Sequence, residues 1–362
     1  MARNANIFLV HVVPGLETIA QREIQDRVPG TEVAEVIGSF DERTSLLVVR
    51  SPAPPGELLR ARTVEDVFVQ VVDQAQVPAG KTGVATIRRA IAESARLEAA
   101  VSSALAVRPR RKGKVTFRVI ARKAGSHSYR RVDMQTAVER ALAARFPAWR
   151  LVEDDAWLEI WGSLVGARFL AGIRLSDHSM RQRDYRAVSL PAALKPTIAA
   201  AMVQLTDPAP DDVFLDPMCG SGTILIERAL AQRYRLLLGG DRDPAAVEAT
   251  LENIGPRYKP IEVRRWDAAH LPLESGSVSA LATNLPFGKQ IGSAEENRTL
   301  YPALLAEWVR VVQPGGRLVL LTSERALLRK SLRNQEGLTS EGETPVLVRG
   351  VPSAIFTARR PA

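Results

Sequence analysis

The sequence predicts an α/β protein whose C-terminal half is a doubly wound, Rossmann-like sheet preceded by two smaller mixed domains. Three observations carry that reading. From Asp211 onward, short apolar runs alternate with helical patterns, the rhythm of a largely parallel sheet. The first three of these runs close on aspartates, and the first leads through a glycine-rich turn into a helix. Before residue 190 the order is different, with paired strands and a marked excess of basic residues.

Taken in order, "NIFLVHVV" from Asn6 is β-branched and apolar and predicts a strand. In "PGLETIAQREIQDRV", Leu16, Ile19, Ala20, Ile24 and Val28 recur at helical spacing. "EVAEVIGSF" and "RTSLLVVR" alternate as a hairpin joined at Phe40, Asp41 and Glu42. "SPAPPG", Ser51–Gly56, is Pro-rich punctuation and divides a first domain, 1–56, from a second, 57–172. The second domain reads as a strand near Val64–Val72, helices near Val84–Ser94 and Arg96–Val107, and the strand "KVTFRVIARK". A helix opened by Asp133 and two strands in "AWLEIWGSLVGARFLAGIRL" complete it. Residues 173–194 form a linker, and 195–362 the last domain. Its strands are "VFLDPM", "YRLLLGGD", "IEVRRWD", "SALATN" and "GRLVLLT". Helices lie near Thr223–Gln232, Pro244–Asn253, Thr299–Val312 and Glu324–Asn334, and "EGETPVLVRGVPSAIFTARR" closes the chain as a hairpin at the sheet edge.

Charge separates the halves. Residues 1–190 hold 29 Lys/Arg against 21 Asp/Glu, and residues 191–362 hold 20 against 19, within a net charge of +9. Between Arg108 and Arg131 stand ten basic residues and no acidic one, with His127 and Tyr129 interleaved. Such a run suits a phosphate backbone, and it nominates Arg110, Arg111, Lys112, Lys114, Arg122, Lys123, Arg130 and Arg131 as RNA contacts. Arg181, Arg183 and Arg186 in the linker join them. No signal peptide or apolar run of membrane-spanning length is evident, so no membrane role is expected. The single Cys219 rules out an internal disulfide and fits a reducing cytoplasm. His11, His127, His178 and His270 lie far apart without companions at ligand spacing, so no metal is expected.

The chemistry concentrates at the predicted strand ends of the last domain. Asp216 closes the first strand in "FLDPMCGSGTILIERAL", where Gly220 and Gly222 let a ligand approach the backbone ahead of a helix N-terminus. A dinucleotide fingerprint would place Gly or Ala three residues after Gly222, but Leu225 stands there. Asp241 closes the second strand at the distance that suits ribose hydroxyls, and Asp267 closes the third, where a carboxylate can accept from an adenine amine. The fourth ends in "ATNLPFGKQIG", with an amide, a proline and an aromatic ring in a row.

This order resembles the class I S-adenosylmethionine-dependent methyltransferases, over Asp211 to Arg360. "DPMCGSG" is similar to their cofactor loop, and "NLPF" to the N-P-P-Y/F motif of enzymes that methylate amines. The resemblance implies a seven-stranded sheet with an antiparallel terminal hairpin, and S-adenosylmethionine as cofactor. It implies a cofactor set of Asp216, Met218, Cys219, Gly220, Ser221, Gly222, Asp241, Arg242, Asp267 and Ala268, with Asn284 shared between cofactor and catalysis. Leu285, Pro286 and Phe287 complete the implied catalytic set. Leu285 departs from the commoner Pro at a position that supplies mainly a backbone carbonyl.

The N-terminal half resembles THUMP-containing RNA methyltransferases, in which a ferredoxin-like domain and a THUMP domain precede the catalytic one. "VVPGLETIAQREI" and the segment from "RRVDMQTAVERAL" to "LSDHSMRQRDYR" carry that likeness. "LPFG", "IGS", Asn297 and "LYP" are most similar to the branch that makes N2-methylguanosine at position 6 of the tRNA acceptor stem. The resemblance therefore implies tRNA as partner, and a monomer is expected. Rival readings are another target amine on RNA or protein, an RNA-binding protein with a silent catalytic domain, and a nicotinamide dehydrogenase. Cys219 as a pyrimidine-attacking nucleophile is a further rival, set against its position in the cofactor loop.

Overall fold

The computed structural model describes residues 6–38, 44–108, 112–191, 193–287 and 294–362. The expected turn at Phe40, Asp41 and Glu42 lies outside the described residues. The chain divides into two compact units at Met180/Arg181. Among the described residues, no helix is long and apolar enough to cross a membrane.

The first unit contains β1 (Asn6–Val12), α1 (Glu17–Arg27), β2 (Glu32–Ile37), β3 (Ser45–Ser51), β4 (Val64–Gln74), α2 (Thr82–Ala92), α3 (Leu97–Ala106), β5 (Thr116–Ala124), α4 (Arg131–Arg145), β6 (Arg150–Leu151), β7 (Leu158–Val165) and β8 (Arg168–Arg174). They form one eight-stranded sheet in the order β2-β3-β1-β4-β8-β7-β5-β6. The division expected at Gly56 does not interrupt it. β1 pairs with β3 on one side and with β4 on the other, so strands from both expected domains share one ladder. The Pro-rich stretch turns the chain without ending the sheet, because the second edge of β1 still needs a partner. α4 opens earlier than expected. Asp133 is its third residue, and its carboxylate accepts the Arg130 N–H at 2.8 Å as a capping box.

The second unit holds the second half of the short α5 (Ser179–Gln182), then α6 (Pro196–Leu205), β9 (Val213–Asp216), α7 (Thr223–Ala231), β10 (Leu236–Asp241), α8 (Pro244–Ile254) and β11 (Ile261–Arg265). It continues with β12 (Val278–Asn284), α9 (Ala294–Val311), β13 (Val312–Thr322), α10 (Arg325–Asn334), β14 (Thr339–Val348) and β15 (Val351–Arg359). The sheet runs β11-β10-β9-β12-β13-β15-β14, parallel throughout except for the final hairpin. Helices cover both faces, so β9 and β12 read as nearly continuous buried runs. α9 begins before the expected Thr299, with Glu295 and Glu296 in its first turn where the helix dipole favours acids.

Leu225 now has a reason. A Cβ on Gly239 of β10 would stand 2.3 Å from Leu225 Cδ1. The close helix–strand approach survives because the missing side chain sits on the strand and not on the helix.

Candidate active site

β9 leads sideways to β10 and β11, whereas its other neighbour, β12, leads to β13. This reversal opens a crevice at the carboxyl ends of the strands. Leu281 of β12 pairs with Leu215 of β9, which sets Asn284 beyond Asp216 along the shared direction.

On the β9 side, Asp216 is 1% exposed and accepts the Met218 N–H at 3.3 Å. Burial pushes its carboxyl up to about 7, and the charge of Asp241 adds to the shift; the Thr283 hydroxyl and the Met218 N–H oppose it. Gly220 and Gly222 both have left-handed φ, +53° and +78°. A Cβ on Gly220 would meet nothing within 4 Å, whereas one on Gly222 would stand 2.9 Å from Thr250 Cγ2. The loop is thus open at its middle and packed at its end.

Its neighbours hold it there. The Cys219 N–H donates to the Gly240 carbonyl at 2.9 Å and the Gly220 N–H to Asp241 Oδ2 at 3.1 Å. The Thr250 hydroxyl donates to the Gly220 carbonyl at 2.7 Å, and Asn253 Nδ2 to the Ser221 carbonyl at 2.9 Å. Asp241 takes the Asp243 N–H on its other oxygen, and Asp243 caps α8 through the Ala245 N–H. Cys219 is buried, and burial pushes its thiol well above the ordinary range. It fills the loop as a protonated thiol and offers no nucleophile.

Farther along, Trp266 Nε1 donates to the Pro217 carbonyl at 3.0 Å, joining the ends of β11 and β9. Asp267 is exposed, and the Ala269 N–H and His270 Nδ1, each at 3.0 Å, hold its carboxyl below the usual range. The buried Ala268 offers its carbonyl to Trp308 Nε1, while Arg242 is exposed beside Asp241.

On the β12 side, Asn284 Oδ1 is buried and has no hydrogen-bond partner among the described residues. The Leu285 N–H donates to the Leu321 carbonyl at 2.9 Å, and the Leu285 side chain packs in the core with Tyr301, Leu304 and Trp308. The Pro286 carbonyl accepts from Asn297 Nδ2 at 3.0 Å and from the Tyr301 hydroxyl at 2.8 Å. Phe287 is half-buried. Asn297 and Tyr301 are site-building residues that strand-end reasoning misses; two polar side chains four apart on one helix were the available signal.

The basic candidates divide. Lys112 and Lys114 are exposed, and Arg110 and Arg111 lie outside the described residues. Arg130 is exposed but paired with Asp133 at 3.1 Å, and Arg131 reaches the Ala121 carbonyl at 3.5 Å. Arg122 lies 4.6 Å over the Trp161 ring and donates to Thr44 Oγ1, while Lys123 donates to the Tyr129 carbonyl. Tyr129 is buried and does not interleave with a charged surface. In the linker, Arg186 bonds Ser189 and Arg181 is half-buried. Arg183 is corrected outright as an RNA contact. It forms an ion pair with Glu227 at 3.2 Å, and both side chains are buried.

Residues 183–349 match the family described as RMKL-like, methyltransferase domain. The tRNA (guanine(6)-N(2))-methyltransferase THUMP3 of Bos taurus is 34% identical over 227 residues, covering 59% of this chain and 45% of that protein. The chain spans about half the length of the mammalian relatives it matches. The tRNA (guanine(6)-N2)-methyltransferase of Thermus thermophilus is 31% identical over 229 residues, covering 62% of this chain and 67% of that protein. The crystal structure of TrmN from Thermus thermophilus superposes with a TM-score of 0.78 at 24% identity, over 98% of this chain and 99% of that one.

Proposed function

The chain belongs to the methyltransferase family of the Thermus thermophilus enzyme, and from that premise we propose that it methylates the exocyclic N2 amine of a guanosine in tRNA, at position 6 of the acceptor stem. The observation that carries the chemistry is the buried Asn284 Oδ1 at the switch point, which has no hydrogen-bond partner among the described residues. A buried acceptor left unpaired is destabilising, and a planar amine supplies the missing N–H.

The crevice fits S-adenosylmethionine. The buried Asp216 carboxyl suits a cationic amine, the open face of Gly220 admits a ligand against the backbone, and Asp241 and Asp267 suit ribose hydroxyls and an adenine amine. When bound, this cofactor supplies an electrophilic sulfonium methyl group.

The remaining chemistry belongs to the chain. A guanine N2 lone pair is delocalised into the ring and is a poor nucleophile until the nitrogen pyramidalises. Asn284 Oδ1 accepts one N–H and the Leu285 carbonyl the other, which turns the lone pair outward. Pro286 fixes the local backbone, and Phe287 stacks on the extruded base, an interaction worth about 1–3 kcal/mol. Asn284 is no base, so the proton leaves to water after transfer. Catalysis is positioning and electrostatics.

Incubation of the full chain with unmodified tRNA and S-adenosylmethionine, followed by nucleoside mapping, tests the reading. N2-methylguanosine at position 6 is expected. The same product elsewhere, or on another RNA, selects a different target for the same site; no methylated nucleoside rejects the reading. Neutralising Arg110, Arg111, Lys112 and Lys114 together is expected to weaken tRNA binding and to lower its salt slope by about one for each phosphate no longer neutralised. Unchanged affinity would leave that run merely solvated.

A further inference from the structure

The backbone around Leu285 is pinned on both sides of the carbonyl that the proposed reaction uses. The peptide joining Asn284 to Leu285 is held by the Leu285 N–H on the Leu321 carbonyl at 2.9 Å. The peptide joining Pro286 to Phe287 is held by its own carbonyl, which receives Asn297 Nδ2 at 3.0 Å and the Tyr301 hydroxyl at 2.8 Å. Between these two planes lies one peptide, and its oxygen is the Leu285 carbonyl. The Pro286 ring fixes one of the torsions that could turn it. Both donors are on α9 and both are 0% exposed, so no water competes for their acceptor. The Tyr301 hydroxyl gives its proton to Pro286 and also lies 2.8 Å from Thr322 Oγ1, which accepts the Glu324 N–H.

We infer that Asn297 and Tyr301 are positioning residues: by holding the Pro286 carbonyl they aim the neighbouring Leu285 carbonyl at the target amine, without touching substrate. Their purpose rests on the reaction proposed above, whereas the pinning rests on geometry alone. This arrangement also accounts for leucine at 285. A second proline would fix one more torsion, but the two pinned planes and the buried Leu285 side chain do that work instead. An acceptor free to rock costs rate more than affinity, because the amine must meet both acceptors together only at transfer.

Two substitutions in the full chain separate positioning from stability. Tyr301→Phe keeps the ring and deletes the donor to Pro286. Thr322→Val deletes a buried hydroxyl of the same chain but leaves the Tyr301–Pro286 bond. Tyr301→Phe is expected to lower kcat about tenfold, with KM for tRNA and cofactor affinity within about twofold; Thr322→Val is expected to keep kcat within about threefold. Amide exchange across residues 284–287 is expected to quicken in Tyr301→Phe and not in Thr322→Val.

Equal losses of kcat in the two variants, a loss confined to KM, or wild-type exchange in Tyr301→Phe would each overturn the inference. If the unsubstituted protein methylates no guanosine, the proposed reaction fails. Amide exchange then still decides whether Tyr301 pins the loop.

Discussion

The two neighbouring strand ends that make the site are built by opposite means. β9 ends in a buried carboxyl and a loop with two left-handed glycines, held by Asp241 of β10 and by Thr250 and Asn253 of α8. β12 ends in a neutral amide and a proline, held from the core by Asn297 and Tyr301. One end combines charge with backbone freedom; the other combines neutrality with rigidity. A charged, conformationally permissive end suits a cationic ligand that must enter and leave. A neutral, rigid end suits orienting an amine whose reactivity depends on geometry. On this view, substitutions at one end should spare the function of the other.

Asn284→Ala gives the largest expected effect and the strongest test of that separation. Loss of one of two acceptors should lower kcat by about 10²–10³, by analogy with removing a preorganised group from an oxyanion site. Cofactor affinity should stay within about twofold, read by calorimetry alongside single-turnover methylation. A parallel loss of cofactor affinity would show that the two ends act as one.

Gly222→Ala probes the other end at intermediate size. Its φ of +78° and a Cβ 2.9 Å from Thr250 Cγ2 impose strain of about 1–3 kcal/mol, or about 3–8 °C in Tm. Thr250 also holds the Gly220 carbonyl, so the displaced loop should bind cofactor more weakly while the single-turnover rate at saturation holds. Gly220→Ala, with open space around its Cβ, should weaken cofactor binding with less loss of Tm. Equal melting losses in the two variants would remove the distinction between the packed and open glycines.

The acids and glycines are legible in the sequence because an α/β sheet converts order along the chain into neighbours at one edge. Asp216, Asp241 and Asp267 each follow a strand pattern, and the sheet order brings those ends together. The terminal hairpin is legible for a similar local reason, since only Arg349 and Gly350 separate its strands. Asn297 and Tyr301 are less visible, because their partner is a backbone carbonyl, which has no signature in side-chain chemistry. Linear charge misleads in the same way. Arg183 looks like part of a basic surface until Glu227, on α7, takes it into a buried pair. The Pro-rich break at Ser51–Gly56 misleads because strand pairing across it joins segments distant in sequence.

Asp216→Asn has an effect that depends on pH and sharpens the charge half of the comparison. The Asp216 carboxyl binds its proton more tightly folded, at about 7, than at the ordinary value of 3.8. Its contribution to stability is therefore fully present below about 3.8 and is lost as pH rises through about 7. At pH 8 the folded protein carries a buried, ionised carboxylate that the asparagine variant lacks. The variant should melt about 5 °C higher than the unsubstituted protein at pH 8, and the difference should shrink as pH falls through about 7 and vanish only below about 3.8. Cofactor binding should weaken in the same variant, because the buried charge that a cationic amine would neutralise is gone. In the unsubstituted protein, that pairing would favour the ionised carboxyl and should release protons on binding below about pH 7. A variant that melts lower at pH 8 would show that Asp216 is satisfied without a ligand. The contrast with the neutral end of β12 would then rest on the glycine loop alone.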